Sequence, residues 1–200
     1  MKLLHIDSSI LGEASASRQL SRAVVDAWTA AQPNAQVTYR DLAAEPISHF
    51  SGLTLAAGAT PADQRNDALK YEAAISEATM KEFLEAGAIV IGAPMYNFSI
   101  SSQLKAWFDR LAVAGKAFTY TETGPKGLAG GKKVIVATSA GGQHVGQPSG
   151  YAHEEYVKLM LNFFGITDIQ VVRAEGLAYG DEARANSIKA ALEQASVLFK

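Results

Sequence analysis

Residues 86–98 read AGAIVIGAPMYNF, and this stretch decides the fold. The run from Ala88 to Ala93 is apolar at every position except one glycine, without the alternation of a strand that has one wet face. Strands of this kind belong in a parallel sheet that helices cover on both sides. A polar turn should follow such a strand, but Pro94 and the large side chains of residues 95–98 follow instead. The sequence therefore raises the question of what this loop contacts.

Apolar and amphipathic segments alternate outward from this strand in both directions. Further strands are predicted at KLLHID (2–7), AQVTYRDL (35–42), KKVIVATS (132–139) and DIQVVRAEG (168–176), with a short hairpin arm at KAFTYTETG (116–124). Apolar positions at helical spacing predict helices over 17–31, 64–85, 102–115, about 150–164 and from about 181. The segment after the second strand, with Pro46 and Gly52, is predicted to be a loop.

The predicted fold class is α/β. Five strands with helices between them fit a flavodoxin-like three-layer sandwich, with a five-stranded parallel sheet in the order 2-1-3-4-5. No repeat, low-complexity tract or linker interrupts the chain, so we expect a single domain over residues 1–200.

The composition narrows the possible partners. The 200 residues are 48% hydrophobic and 19% charged, the formal net charge is -2, and no basic stripe is present, so neither nucleic acid nor membrane is an expected partner. The absence of cysteine removes thiolate catalysis and disulfides, and the four histidines lack metal-ligand spacing. The apolar run in the N-terminal MKLLHIDSS is shorter than a signal peptide requires, so a cytoplasmic location is expected.

Three loops should meet at the carboxyl edge of the predicted sheet, where open α/β sheets bind ligands. They follow strands 1, 3 and 4: SSILGEASASRQL (8–20), PMYNF (94–98) and TSAGGQH (138–144). The first has four serines before a helix start, which favours a phosphate site, although Ser15 or Ser17 could equally be a simple helix cap. It lacks G-x-G-x-x-G and a Walker loop, which disfavours a Rossmann-type dinucleotide site.

The loop after strand 4 contains Gly141 and Gly142, whose backbone amides can approach a ligand closely; a plain turn is the alternative. A phosphate end, an apolar wall and a cluster of amide donors together suit a flat, hydrogen-bonding ring that carries a phosphate. Flavin mononucleotide (FMN) fits this description. ATP would need a lysine-bearing or cation-binding loop that the sequence lacks.

Several motifs carry a resemblance that runs nearly from end to end: SSILGEASAS, RDLAAEPI, APMYNFSISSQLKAWFD, FTYTETGPKGL, GKKVIVATSAGG, FFGITD and AEGLAYG. The chain resembles the FMN-dependent NADH-azoreductases, also described as FMN-dependent NADH:quinone oxidoreductases. The combination of PMYNF with the following SQLK is the most specific part of the match. The resemblance implies a homodimer with one FMN per subunit near the subunit interface.

By matching motif, the resemblance also implies which residues contact the cofactor. The implied contacts are Ser9, Ser15, Ala16 and Ser17 for the phosphate, Met95, Tyr96, Asn97 and Phe98 along the ring, and Ser139, Ala140, Gly141 and Gly142 in the second loop. Ala140 replaces a larger basic side chain of some relatives, and residues 51–64 contain no arginine to match one that relatives place near the nicotinamide. The choice between NADH and NADPH is therefore left open.

The implied reaction is a two-electron ping-pong cycle, in which NADH or NADPH reduces FMN and a quinone or an azo compound then takes the electrons. A quinone needs one round, and an azo bond needs two to give two amines. His144 is a candidate for the substrate face or for proton transfer, with an exposed loop histidine as the alternative. Tyr120 is a candidate cap of the pocket.

Two other functions remain to be weighed. Asp7–Ser8 after strand 1 suits an early serine nucleophile, but no histidine follows His153 to act as a late base, and there is no G-x-S-x-G. A flavodoxin-type electron carrier would have the same fold without enzyme activity. Such carriers are usually strongly acidic, whereas this chain is nearly neutral.

Overall fold

The computed structural model describes residues 1–199. Seven strands form two sheets: β1 Lys2–Asp7, β2 Gln36–Asp41, β3 Ala88–Pro94, β4 Phe118–Thr121, β5 Gly124–Gly127, β6 Lys133–Ser139 and β7 Asp168–Ala174. The helices are α1 Ala16–Ala31, α2 Gly52–Ala59, α3 Asp67–Glu85, α4 Ser102–Leu111, α5 Glu154–Phe163 and α6 Asp181–Val197.

The five long strands form one parallel sheet in the order β2-β1-β3-β6-β7. Counted among the parallel strands alone, this is the predicted order 2-1-3-4-5. The two short strands β4 and β5 pair antiparallel, which confirms the predicted hairpin arm. Because β1, β3 and β6 are neighbours, the loops that leave their carboxyl ends lie side by side.

Helices pack on both faces of the sheet over two separate apolar cores. One core contains Phe83 of α3, Trp107 and Phe108 of α4, and Phe164 after α5. The other contains Trp28 and its neighbours on α1, together with residues of α6. β3 contributes to both cores because each of its seven residues is buried, as expected for a central parallel strand.

The segment between β2 and α3 differs from the prediction. Residues 52–59, predicted to be a loop, form α2, because Ser51 and Thr54 make reciprocal capping hydrogen bonds that start a helix despite its glycines. The helix predicted over 64–85 begins at Asp67, where the Asn66 side chain accepts from the N–H of Leu69. Among residues 1–199, no helix combines the length and the apolar character that crossing a bilayer requires.

Candidate functional site

The three predicted loops converge on a cleft of about 250 Å³ at the carboxyl edge of the sheet. Eight of the predicted contact residues line it: Ser9, Ser15, Ala16, Met95, Tyr96, Ser139, Ala140 and Gly141. The other four lie one or two positions further along the same loops: Ser17, Asn97, Phe98 and Gly142. The cleft is also lined by residues from the chain after β7, including Leu177 and Ala178, that the sequence did not indicate.

The N-terminus of α1 forms one end of the cleft. Ser15 caps this helix, since its Oγ accepts from the N–H of Arg18 at 3.3 Å and lies 3.1 Å from the Oγ of Ser17. The N–H groups of Ala16 and Ser17 have no intrahelical acceptor, because they belong to the first turn. Free N–H groups, serine hydroxyls and the positive end of the helix dipole together suit a phosphate. The capping and binding interpretations of Ser15 are therefore compatible.

The loop after β3 is a two-residue turn with a strained backbone. Asn97 and Phe98 have φ angles of 50° and 68°, and Tyr96 and Ser99 exchange both backbone hydrogen bonds, at 2.9 and 3.0 Å. These are the features of a type I′ turn. Positive φ is tolerated by asparagine but is rare for a bulky residue such as phenylalanine. The turn leaves the Phe98 side chain 60% exposed beside the cleft.

Hydrogen bonds tie the three loops to one another. The Tyr96 hydroxyl lies 2.9 Å from the Ser9 Oγ and accepts from the N–H of Ile10 at 3.2 Å, which joins the loops after β1 and β3. The N–H of Met95 donates to the carbonyl of Ser139 at 2.7 Å, which joins the loops after β3 and β6. The cleft is therefore held open by contacts within the protein itself.

The loop after β6 presents backbone N–H groups. The carbonyls of Gly141 and Gly142 accept from the N–H groups of Ala178 and Gly176, at 3.0 and 2.9 Å. Within residues 1–199, the N–H groups of these two glycines have no protein acceptor. A Cβ on Gly142 would lie 2.9 Å from the Nε2 of His144, so a side chain there would crowd the histidine.

The two candidate side chains outside the three motifs occupy different places. His144 lies at the cleft side of the molecule, where its ring packs edge-to-face on Phe98 with centroids 5.9 Å apart, and its Nδ1 is 2.9 Å from the Ser149 Oγ. Tyr120 lies on β4, is 75% exposed, and packs on Phe118. The fold does not bring Tyr120 to the cleft of its own chain.

His153, which the sequence showed only as a scattered histidine, supports the strand that leads into the cleft. It is buried, and its Nε2 lies 2.9 Å from the carbonyl of Ala93. Burial lowers the pKa of His153, so the ring is neutral and Nε2 carries the proton that it donates. Ala93 is followed by Pro94, the last residue of β3, so this histidine fixes the strand end that leads into the loop. No periodicity or spacing in the sequence marks it.

Arg18 anchors the loop after β1 and was also missed. Its guanidinium donates to both carboxylate oxygens of Asp41, at 2.6 and 2.7 Å, and to the carbonyl of Ser9 at 2.8 Å. Hydrogen bonds from Arg18 are the main reason that the pKa of Asp41 is lowered. The pair joins the first turn of α1 to the end of β2, across the loop that carries the serines.

No three histidine, aspartate or glutamate side chains gather into a possible metal site anywhere in residues 1–199. The cleft offers hydroxyls, backbone amides, apolar walls and the guanidinium of Arg184.

The sequence of the whole chain identifies its family. Residues 1–198 match the family model described as the flavodoxin-like fold. The chain belongs to the flavodoxin-like fold family. Among its relatives, FMN-dependent NADH:quinone oxidoreductase 2 of Pseudomonas aeruginosa is 66% identical over 194 residues, which are 97% of this chain and 96% of the relative.

Solved structures of the flavodoxin-like family agree with this assignment. An azoreductase from Bacillus anthracis strain Sterne superposes with a TM-score of 0.89 at 28% identity, covering 98% of this chain and 97% of that one. An FMN-dependent NADH-azoreductase from Bacillus anthracis strain Ames Ancestor, solved in complex with FMN, superposes with a TM-score of 0.86 at 27% identity, covering 100% and 99%.

Proposed function

We propose that this protein is an FMN-dependent oxidoreductase that uses NADH or NADPH to reduce quinones and azo compounds. The observation that carries the proposal is the single cleft formed by the loops after β1, β3 and β6 in a chain 66% identical to an FMN-dependent NADH:quinone oxidoreductase. A single FMN-binding domain over residues 1–200 and a cytoplasmic location are parts of the same proposal.

The donors that line the cleft fit FMN. The phosphate is assigned to the α1 N-terminus, with the hydroxyls of Ser9, Ser15 and Ser17 and the N–H groups of Ala16 and Ser17 around it. The isoalloxazine ring is assigned to the strained loop, with contacts from Met95, Tyr96, Asn97 and Phe98. The polar edge of the ring is assigned to the loop of Ser139, Ala140, Gly141 and Gly142, whose two glycine N–H groups are free to donate.

When bound, FMN would supply the redox chemistry, the transfer of two electrons from the nicotinamide to the acceptor. The residues of the chain hold and orient the reactants. Backbone N–H groups of Gly141 and Gly142 are fixed dipoles that stabilise negative charge on a nearby ring. The side chain of Phe98 gives a planar substrate an apolar surface to pack on.

His144 is assigned to the substrate side as a proton donor to the acceptor. Its Nδ1 is engaged by Ser149 and its ring is held against Phe98, so its Nε2 is the nitrogen left for the substrate. Exchanging His144 for Gln tests this role. Quinone reduction should slow while the rate at which NADH bleaches bound flavin stays unchanged; equal slowing of both half-reactions would contradict it.

A homodimer completes the proposed site. Tyr120 is exposed and does not line its own cleft, and its hairpin carries Phe118 in contact with Phe163 at 4.5 Å between centroids. An exposed aromatic side chain on a hairpin is a suitable cap for the cleft of a second subunit. Sedimentation of the wild type and of the Tyr120→Ala variant, with quinone KM measured for both, tests the dimer and the cap separately.

The serine hydrolase alternative finds no support in the site. The Ser8 hydroxyl is buried and donates to the carbonyl of Gly92 at 2.8 Å, so it is not available as a nucleophile. His5, Asp7 and Ser21 do lie together, but Ser21 is fully buried and donates to Asp7 at 2.7 Å. Its oxygen therefore has no path to a substrate, although the His5 Nε2 lies 3.0 Å away.

The deciding experiment is an anaerobic visible spectrum of the purified protein after loading with FMN and removal of unbound flavin. The expected result is a bound yellow flavin that NADH bleaches and a soluble quinone restores. Bound flavin that neither NADH nor NADPH bleaches would favour the electron carrier. Loss of all flavin during removal of the free cofactor would overturn the proposal.

A further inference from the structure

Among residues 1–199, Arg184 is the only charged residue that lines the cleft. It lies in the first turn of α6, a helix that follows the last strand of the sheet, and its side chain is half-buried. The remaining lining residues are apolar, are glycine or carry neutral hydroxyls. Whatever negative charge enters the cleft therefore meets one full positive charge, on Arg184.

The guanidinium of Arg184 lies next to the N-terminus of α1. Its NH2 donates to the carbonyl of Ala14 at 3.3 Å, and Ala14 directly precedes the capping residue Ser15. This is its single hydrogen bond within residues 1–199. The nitrogens that remain can thus donate to a ligand at the end of the helix where Ala16 and Ser17 present free N–H groups.

The electrostatic state of Arg184 differs from that of Arg18, which also anchors this loop. Arg18 donates to both oxygens of Asp41, so its charge is largely balanced by a carboxylate. In the described part of the chain, no carboxylate lies within ion-pair distance of Arg184. Arg184 therefore offers an uncompensated charge to the cleft, and Arg18 does not.

We propose that Arg184 binds the phosphate of FMN and makes the site selective for FMN over riboflavin. The inference rests on the proposed function, since it assumes that the cofactor is FMN. A phosphate monoester carries a charge of about -1.5 to -2 at neutral pH. Serine hydroxyls and helix N–H groups supply neutral hydrogen bonds, and Arg184 adds the charge-assisted ones that balance the dianion.

The test compares FMN and riboflavin binding to the apoprotein by flavin fluorescence, for the wild type and for Arg184→Gln. We expect Arg184→Gln to weaken FMN binding about tenfold, the size of one charge-assisted hydrogen bond at a half-buried site, and to leave riboflavin binding unchanged. The FMN dissociation constant of the variant should also depend less steeply on salt concentration. Arg184→Lys should recover most of the affinity, because phosphate accepts a lysine point charge as well.

Arg22→Gln is the matched control. Arg22 is an exposed arginine on α1 that does not line the cleft, so its exchange removes the same charge from the helix whose N-terminus faces the cleft. It should change FMN affinity less than twofold, within the range expected of a screened surface charge.

The outcomes separate the two proposals. If the wild type binds neither flavin, the proposed function fails and not merely the role of Arg184. If the wild type binds FMN tightly and Arg184→Gln binds it equally well, the role of Arg184 is wrong while the proposed function stands. Equal weakening of FMN and riboflavin would also overturn the role, because it would indicate a general disturbance of the cleft.

Discussion

Two arginine–carboxylate pairs lie on opposite sides of the sheet and contrast in what surrounds them. Arg110 of α4 donates to Glu72 of α3 at 2.9 Å, and its side chain is completely buried. It also donates to the hydroxyls of Ser76 and Ser48, at 2.8 and 2.6 Å. Apart from the Nε of Arg110, which has no hydrogen-bond partner, these polar groups bond one another in the interior, and none of them lines the cleft.

The pair of Arg18 and Asp41 has the same chemistry but a different environment. Its two side chains are 13% and 20% exposed, and one guanidinium nitrogen holds the carbonyl of Ser9 in the cleft-lining loop. Asp41 in turn accepts from the N–H groups of Ala43 and Ala44 at the end of β2. In the enclosed pair each buried charge depends on its partner, whereas the pair attached to a loop positions a site.

The largest effect is expected from Arg110→Ala. It leaves the Glu72 carboxylate buried without its cation and should lower the free energy of unfolding by about 3–5 kcal/mol in a denaturant titration. Flavin affinity of the folded fraction should not change. Arg40→Ala, which breaks the partly exposed pair with Glu82, is the control and should cost less than about 1 kcal/mol.

The double variant Arg110→Met with Glu72→Leu is a control for general damage to the core. Removing both charges together with apolar residues should recover much of the lost stability. If the double variant were as unstable as Arg110→Ala, the loss would come from packing and not from an unpaired charge.

Arg18→Gln should lower stability less than Arg110→Ala does, but it should weaken flavin binding. We expect a loss of about 1–2 kcal/mol in unfolding free energy, because the pair is partly exposed, and weaker binding of both FMN and riboflavin by several-fold. Loss of both affinities distinguishes a positioning residue from the phosphate-specific Arg184. A variant with wild-type affinity for both flavins would show that the hydrogen bond to Ser9 has no role in shaping the loop.

Acid should weaken both pairs. Burial alone would raise the pKa of Glu72, but hydrogen bonds from Arg110, Ser48 and Thr54 outweigh it and hold that pKa below its ordinary 4.5. The pKa of Asp41 is likewise held below 3.8, mainly by Arg18. A carboxylate with a lowered folded pKa stabilises the protein above its unfolded pKa, and this stability is lost as the pH falls through the folded value.

The unfolding free energy should therefore be level above about pH 5 and fall progressively below pH 4.5. Urea titrations between pH 7 and pH 3 measure this slope. Glu72→Gln should flatten it, because the variant has lost one of the groups that must be protonated. An unchanged slope in Glu72→Gln would show that other carboxylates govern the acid transition.

The smallest effect is expected from Tyr39→Phe, which removes one hydroxyl in contact with Arg18. The Tyr39 hydroxyl donates to Asp7 at 3.2 Å and accepts from Arg18 at 3.1 Å, while Arg18 keeps its bonds to Asp41 and Ser9. The loss should be about 0.5–1 kcal/mol, with flavin affinity unchanged. Burial and the nearby carboxylates raise the pKa of Tyr39 to about 12. In an alkaline absorbance titration, the wild type should therefore show one more tyrosinate than the variant, and only near that pH.

The sequence was sufficient for the sheet because buried parallel strands have a simple signature. Runs such as AIVIGAP and KKVIVATS mark the central strands, and the position of the cleft follows from strand order alone. α2 was missed because its glycines suggest a loop, while the Ser51–Thr54 capping box that starts the helix is a local hydrogen-bond pattern rather than a periodic one.

The residues that support the site were harder to find, because they are distant in sequence and ordinary in type. Arg18 is separated from Asp41 by 23 positions, and Arg184 from Ala14 by 170. An arginine on a helix has the same appearance in the sequence whether it lies in solvent or holds a loop. The placement of Tyr120 away from its own cleft likewise depends on the path of the β4–β5 hairpin, which the sequence shows only as a hairpin.

The bond between Met95 and Ser139 extends the ladder between β3 and β6 by one step into the loop. Backbone amides within the five residues 94–98 should therefore exchange with solvent at two very different rates. The Met95 amide should exchange its hydrogen with solvent only when the central strands separate, which requires nearly global unfolding. The amides of Asn97 and Phe98 have no protein acceptor within residues 1–199 and should exchange without any opening of the sheet. A ligand that binds at the turn should therefore slow hydrogen exchange at Asn97 and Phe98 first, while the Met95 amide keeps the slow exchange rate of the core.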